Sequence, residues 1–439
     1  MPLKRQIPLN QMVIGNGPDK AVCPIGLSGL VLDRYQASLR LAGTACAVLA
    51  LCALSFQVWS QDIGEHGFAT PNSVEGTLEA TADRQSEGAL EGFHAWKDQL
   101  ESRTGFSFGL DDQVQFLDTN SDQSPSDALG NVFRFYGAWT ATGQGTPNNG
   151  ALVFKVENRS AIGDRISPQA LGPSLGYAGL LSSTYSNAGW VLTNLYWRQR
   201  LLDGRMSFVL GQVDVTDYVD VNSLASPWNA FGNLAFEIPT IPAPDQGLGA
   251  AIQWRMNEKW AVLGGIANAN GDPSDPIDSA QKLFDSGETF KHLAIGWSPD
   301  WEDRYDQAVQ LTVWQVDDRE EAGVEGGQGV ALAASFRAGN WRPFFRAGYS
   351  DGGGPLLDRS VGFGTGYDTR YGKDLLGLGL NWGRAPGSTR DQYTMEVFYR
   401  YDPTDFFQIT PSIQYVANPA NDPATDNLLV FGLRGRVVF

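Results

Sequence analysis

From Thr104 to Phe439 the chain alternates apolar and polar residues with period two, segment after segment, with no helical interval between them. Phe106, Phe108, Leu110, Val114 and Phe116 fall on one face, and Ser107, Gly109, Asp111, Gln113 and Gln115 on the other. Near the end, Phe407, Ile409, Pro411, Ile413 and Tyr415 oppose Gln408, Thr410, Ser412 and Gln414, and the last segment sets Leu429, Phe431, Leu433, Val437 and Phe439 against Arg434 and Arg436. Successive side chains of a strand point to opposite sides, so each segment reads as a strand with oil on one face and water on the other. Hydrocarbon supplies no hydrogen bonds, and a spanning chain that lacks long apolar helices must therefore close its strands into a cylinder. The fold class is all-β: a transmembrane antiparallel β-barrel.

About sixteen segments can be marked, from 104–117 through 359–367, the weakest because it is Gly-rich, to 426–439. The connections between them sort by parity. Those after even-numbered strands are mostly tight, as at Asp203-Gly204, Asn257-Glu258, Gly339-Asn340 and Asp402-Pro403-Thr404, while 159–187, 215–246 and 269–289 all follow odd-numbered ones. Short periplasmic turns against long external loops are what an even-stranded barrel with both ends in the periplasm gives. A soluble sandwich has no reason to sort its loops this way. A length of 439 residues would ordinarily suggest two or three domains, but the pattern runs unbroken to the end and fits one large barrel.

The expected organisation has three parts: residues 1–60, removed; 61–103, a periplasmic lead-in; and 104–439, the barrel. Arg34 and Arg40 precede the apolar run Leu41–Phe56, and small or polar residues follow, which is the layout of a secretory signal cut after Ser60. Cys23, Cys46 and Cys52 all lie in this stretch, so the exported chain carries no thiol through an oxidising compartment. In the lead-in, Ser86–Leu100 predicts a short amphipathic helix with Leu90, Phe93, Trp96 and Leu100 on one side.

Trp190, Trp197, Trp254, Trp260, Trp297, Trp341, Trp382, Tyr393 and Tyr401 recur at strand ends and predict interfacial girdles. The faces opposite the apolar ones carry Arg134, Arg198, Arg200, Arg255, Arg337, Arg342, Arg346, Arg400, Arg434 and Arg436, with Glu157, Glu396 and Trp314. A basic lumen inside an acidic protein follows. Guanidinium groups stay charged and present planar donors to sugar hydroxyls or to anions; they also serve to bridge strands and fill polar volume. The formal net charge of −17 excludes nucleic acid as a partner, because phosphates need a basic face.

Three other motifs lead nowhere. Gly172-Pro173-Ser174-Leu175-Gly176 fits GxSxG but sits in a long loop rather than between a strand and a helix, and His66, His94 and His292 are the only bases. Asn268–Asp278 is rich in oxygen ligands but lacks the spacing of a calcium loop. Gly362, Gly364 and Gly366 precede no helix, so strand packing accounts for them better than a phosphate cradle. Neither a catalytic centre, a metal nor a cofactor is expected.

Leu195-Tyr196-Trp197-Arg198-Gln199, the turn Asp203-Gly204 and the returning Val209-Leu210-Gly211-Gln212 resemble the carbohydrate-selective porin family, the OprB-type channels. So do Ile238-Pro239, Ile241-Pro242 and Gly247-Leu248-Gly249-Ala250, and, most specifically, Glu396, Tyr399, Thr410–Tyr415, Pro419, Gly432-Leu433-Arg434 and Phe439. The resemblance spans about 104–439 and implies a sixteen-stranded outer-membrane barrel, an external loop folded inward, and diffusion of mono- and small oligosaccharides. It also implies that the barrel-assembly machinery reads Phe439. Outer-membrane lipid and lipopolysaccharide are the expected surroundings, and monomer and homotrimer both remain open. From strand facing, the pore-lining residues are Arg198, Arg200, Trp314, Arg342, Arg346, Glu396 and Arg400, with Arg434 from the terminal signature; the constricting loop is 215–246, carrying Trp228 and Phe231. The rival readings are an anion or phosphate pore and, further off, a barrel enzyme.

Overall fold

The computed structural model describes residues 68–85, 90–369 and 373–439. The signal, its cleavage after Ser60 and the three cysteines lie outside the described residues. Sixteen strands form one closed antiparallel barrel: β1 (Phe106–Thr119), β2 (Asp127–Thr142), β3 (Gly150–Ala161), β4 (Gly189–Leu201), β5 (Met206–Val213), β6 (Gly247–Arg255), β7 (Trp260–Asn268), β8 (Thr289–Trp297), β9 (Ala308–Val316), β10 (Gly327–Ser335), β11 (Trp341–Gly352), β12 (Arg359–Thr369), β13 (Asp374–Arg384), β14 (Asp391–Arg400), β15 (Phe407–Ala417) and β16 (Asn427–Val438). Each pairs with its sequence neighbours, and β1 pairs with β16 from Asp111↔Val438 to Thr119↔Val430, which leaves no free edge. No described helix is long and apolar enough to cross a membrane.

The alternation holds in three dimensions. On β1, Asp111, Gln113, Gln115 and Leu117 are buried toward the lumen, while Val114 faces out. Leu376, Leu378 and Leu380 on β13, Phe363 on β12, and Phe431 and Leu433 on β16 make an exposed apolar belt. Trp254, Trp260, Trp341 and Tyr401 ring the end with the short turns, and Trp190, Tyr393 and Tyr415 ring the other. The loops 162–188, 214–246 and 269–288 leave from odd-numbered strands, as expected. One even-to-odd connection departs from the rule, the ten-residue stretch 298–307 between β8 and β9.

The N-terminal segment is more than a lead-in. Helix α1 (Val74–Gln85) was not expected: with few apolar residues it owes its stability to its surroundings. Phe68 and Val74 are buried against the inward-facing Tyr136, Tyr196 and Val209, so residues 68–85 occupy the lumen at its short-turn end. Helix α2 (Glu91–Thr104) is the predicted amphipathic helix, displaced a few residues toward the C-terminus, where Gly105 at φ 72° donates its N–H to Glu101 at 2.7 Å and stops it. It lies on the outside, with Trp96 edge-on to Phe108 at 6.1 Å and the Trp139 indole donating to the Thr104 carbonyl at 3.2 Å.

The belt sets a test. Leu378→Arg, at mid-strand on the outer face, is expected to destabilise the barrel folded in lipid by about 2–4 kcal/mol, read by denaturant titration. A change near zero would mean that this face does not meet hydrocarbon.

Candidate functional site

Loop 214–246 joins β5 to β6 but does not stay at the rim. Pro239, Pro242 and Pro244 cannot donate to a ladder, and polar caps shape what remains: the Asp214 carboxylate accepts from the Thr216 N–H at 3.0 Å, and the Asn233 amide oxygen from the Ala235 N–H at 2.9 Å. The loop crosses the lumen and is held from the far wall. Glu396 on β14 accepts the Gly232 and Asn233 N–H groups, both at 3.0 Å. Arg434 on β16 donates to the carbonyls of Pro227 and of Ala230, the latter at 3.0 Å. Arg400 donates to the Asn229 carbonyl at 3.1 Å, and Arg346 on β11 pairs with Asp220. Arg134 lies over the Trp228 ring at 3.8 Å and pairs with Asp111, which also accepts from Arg436.

An aromatic cluster fills the space beneath. Phe231 meets Phe398 edge-on at 4.9 Å and Phe236 at 4.7 Å, with Phe344 beside them. The Gly-rich strands exist for this packing: a Cβ on Gly379 would come within 2.6 Å of the Phe236 ring, and one on Gly366 within 2.9 Å of Leu224.

Residues 68–85 are gripped in the same manner. Glu75 accepts from Arg198 at 2.6 and 3.2 Å and from Arg200 at 3.3 Å. Asn72 donates to the Ala225 carbonyl at 3.0 Å, so the segment touches the loop as well as the wall.

The eight residues singled out from the sequence therefore project inward but do not converge on one point. Arg198 and Arg200 hold the helix; Arg346, Glu396, Arg400 and Arg434 hold the loop. Arg342 lies at the short-turn rim, bound to Asp368 at 2.9 and 2.5 Å and to Asp306 at 3.3 Å. Trp314 is 3% exposed and stacks near Phe290 at 6.4 Å, leaving no open ring face. Ser174 donates its hydroxyl to the Leu171 carbonyl at 2.8 Å, while His292 packs beside Phe290 and Tyr218, so GxSxG forms no dyad.

Sequence reasoning missed the connection 298–307. It turns inward and, with Phe68, Thr70 and Tyr218, borders an open-sided cavity of ≈ 70 Å³ lined by Trp301, Arg304, Tyr305, Gln253 and Gln310. Its length, exceptional among the even-to-odd turns, was the available signal.

A closed barrel with an outward apolar belt and a long loop anchored inside its lumen is the architecture of a porin, a channel protein and not an enzyme. The chain belongs to the carbohydrate-selective porin, OprB family, whose model matches residues 138–377 and 343–439. Membership and fold imply the outer membrane of a Gram-negative bacterium. The chain is similar to the high-pH structure of Pseudomonas putida OprB, with a TM-score of 0.61 and 16% identity over 79% of this chain and 97% of that one. The low-pH structure of the same porin gives 0.49 at 14% identity, covering 80% and 97%. A mutant of Rh. blastica porin gives 0.46 at 11% identity, covering 76% and 100%. At such identities the likeness is one of fold. No curated protein sequence matches the chain.

Two predictions concern the loop. Glu396→Ala strands the buried Asn233 N–H and the part-buried Gly232 N–H at a cost of about 1–3 kcal/mol; the loop is expected to loosen, so single-channel conductance rises and grows noisier, and unchanged traces would refute the tether. Glu237, which accepts from the Ser183 hydroxyl at 2.9 Å, has its carboxyl pushed by burial from the ordinary 4.5 up to about 8. The folded loop binds this proton more tightly than the unfolded chain does. The stability it contributes is therefore complete below about 4.5 and is lost as pH rises through about 8. Conductance is expected to increase over that window in the native channel and to rise less steeply in Glu237→Gln, where Asp217 on the same loop, raised by burial to about 7, still titrates.

Proposed function

We propose that the channel passes neutral mono- and small oligosaccharides by passive diffusion, along a path narrowed by loop 214–246 and by the N-terminal segment. The observation that carries this reading is the pairing inside the lumen. Asp111 lies between Arg134 and Arg436, Glu75 between Arg198 and Arg200, and Asp220 and Asp368 against Arg346 and Arg342. Carboxylates interleaved with guanidinium groups offset the field an anion pore needs, yet they leave a wall of fixed donors and acceptors. Such a wall exchanges hydrogen bonds with a sugar that sheds its water, and binding stays weak enough for release.

In this reading Arg198, Arg200, Arg342, Arg346, Glu396, Arg400 and Arg434 bound the pore chiefly as positioning residues. They fix the segments that set its width, and Trp314 stiffens the wall behind them. The short-turn end faces the periplasm, reached through export directed by the signal before Ser60. Phospholipid and lipopolysaccharide cover the belt, and the assembly machinery reads Phe439, whose ring stacks on Phe406 at 6.2 Å. The barrel works alone or as a homotrimer.

Liposome swelling with a graded set of sugars tests the proposal. Rates are expected to fall steadily from monosaccharides to trisaccharides. Planar-bilayer reversal potentials that give strong anion selectivity, with block by phosphate and none by sugar, would replace the sugar channel by an anion pore.

A further inference from the structure

Helix α2 is fastened to the outside of the barrel at the short-turn end rather than left hanging below it. Two side chains of the rim hold its last turn: the Trp139 indole donates to the Thr104 carbonyl at 3.2 Å, and the Gln144 amide donates to the carbonyls of Glu101 and Ser102 at 3.0 and 3.1 Å. These are carbonyls that a helix end leaves without an internal partner. Gly105 then reverses the chain, and β1 runs back beside the helix so that Phe108 meets Trp96 at 6.1 Å.

The helix is two-sided. Phe93, Lys97 and Leu100 fall on one face and are half-buried, while Glu91, Asp98 and Gln99 are exposed on the other. Trp96 stands at the border, 50% exposed. From it the rings run on without a break. Phe93 stacks on Trp96 at 5.8 Å, Phe108 meets Phe135 at 6.2 Å, and Phe135 meets Phe154 at 5.2 Å. Phe135 and Leu152 are exposed on the outer face of the wall, so the apolar edge of the helix is continuous with the belt.

The cations complete the pattern. The Lys97 ammonium lies 5.8 Å from the Phe93 ring centre and 5.3 Å from that of Phe108. Arg103 is exposed about two turns past Trp96 on the same flank. Among the described residues neither meets a carboxylate within ion-pair distance. A long-stemmed cation beside an indole, at the foot of an apolar belt, suits the boundary between acyl chains and headgroups: stem and rings lie with the chains, and the charge reaches the phosphates.

We propose that α2 is an interfacial anchor, docked on the phospholipid of the periplasmic leaflet through Phe93, Trp96, Lys97 and Arg103. It fixes the depth at which this side of the barrel sits. The proposal rests on the reading that the belt meets lipid and that the short-turn end faces the periplasm. It adds a partner for a segment outside the strands.

Tryptophan quenching in vesicles of phosphatidylethanolamine and phosphatidylglycerol tests it. The intact protein is compared with Trp96→Phe, so that the difference in emission belongs to Trp96 and the emission left in the variant to the other tryptophans. Phospholipid brominated near the glycerol end should quench the difference emission severalfold more than phospholipid brominated near the chain end, and acrylamide in the water should quench it weakly. Lys97→Glu combined with Arg103→Glu, made with and without Trp96→Phe, should lower the lipid quenching severalfold and open Trp96 to acrylamide; an unchanged result there would overturn the docking on headgroups. Heat-modifiable gel migration verifies that each variant is folded. Difference emission quenched by acrylamide and not by brominated lipid would overturn the anchor while leaving the belt standing. Quenching by neither would place a second copy of the chain on α2 and overturn it as well. If brominated lipid fails to quench even the tryptophans that remain in Trp96→Phe, the lipid belt fails first and the anchor with it.

Discussion

Every backbone N–H and C=O that passes through hydrocarbon must find its partner within the protein, and in this chain the partner is always the next strand. That requirement forces closure between β1 and β16 and fixes the direction of every side chain. Closure then creates a second problem, because a cylinder of sixteen strands is too wide for the inward side chains to fill. The chain answers with its own segments. Loop 214–246 and residues 68–85 enter from opposite ends and meet where Asn72 reaches the Ala225 carbonyl.

The lumenal arginines make sense in that frame. A backbone segment taken into the interior carries carbonyls that no ladder will satisfy, and a guanidinium offers several donors in a rigid fork. Arg434 serves two carbonyls of one loop, and Arg400 serves a third. Glu396 performs the complementary task by accepting two N–H groups. Charge in this lumen is spent on architecture before it is available to a solute, which is why the charged side chains of the wall stand largely in opposite-sign pairs.

How much of this the sequence revealed depends on the range of the interaction. Period two is local, so all sixteen strands were legible, and the parity of loop lengths gave the two ends. The inward direction of Arg198, Arg346 and Arg434 was legible for the same reason. What those residues grip was not: Glu75 lies 123 positions from Arg198, and Asp220 lies 126 from Arg346. Helix α1 escaped notice because its stability comes from the lumen around it. The Gly-rich segment near 359–367, weak as a strand in sequence, is a strand whose missing side chains make room for Leu224 and its neighbours.

The one even-to-odd connection that breaks the parity rule carries a general lesson. Short turns suffice to reverse a strand, so length beyond that is ordered at an entropic cost and calls for a physical reason. In connection 298–307 the reason is contact on two sides: it braces the N-terminal segment through Arg304 and the lumen loop through Tyr305. Arg304 carries most of this bracing, since its guanidinium also lies 5.3 Å from the Trp301 ring centre and 4.3 Å from that of Tyr305, so one side chain fixes the connection's aromatic residues and the N-terminal segment together.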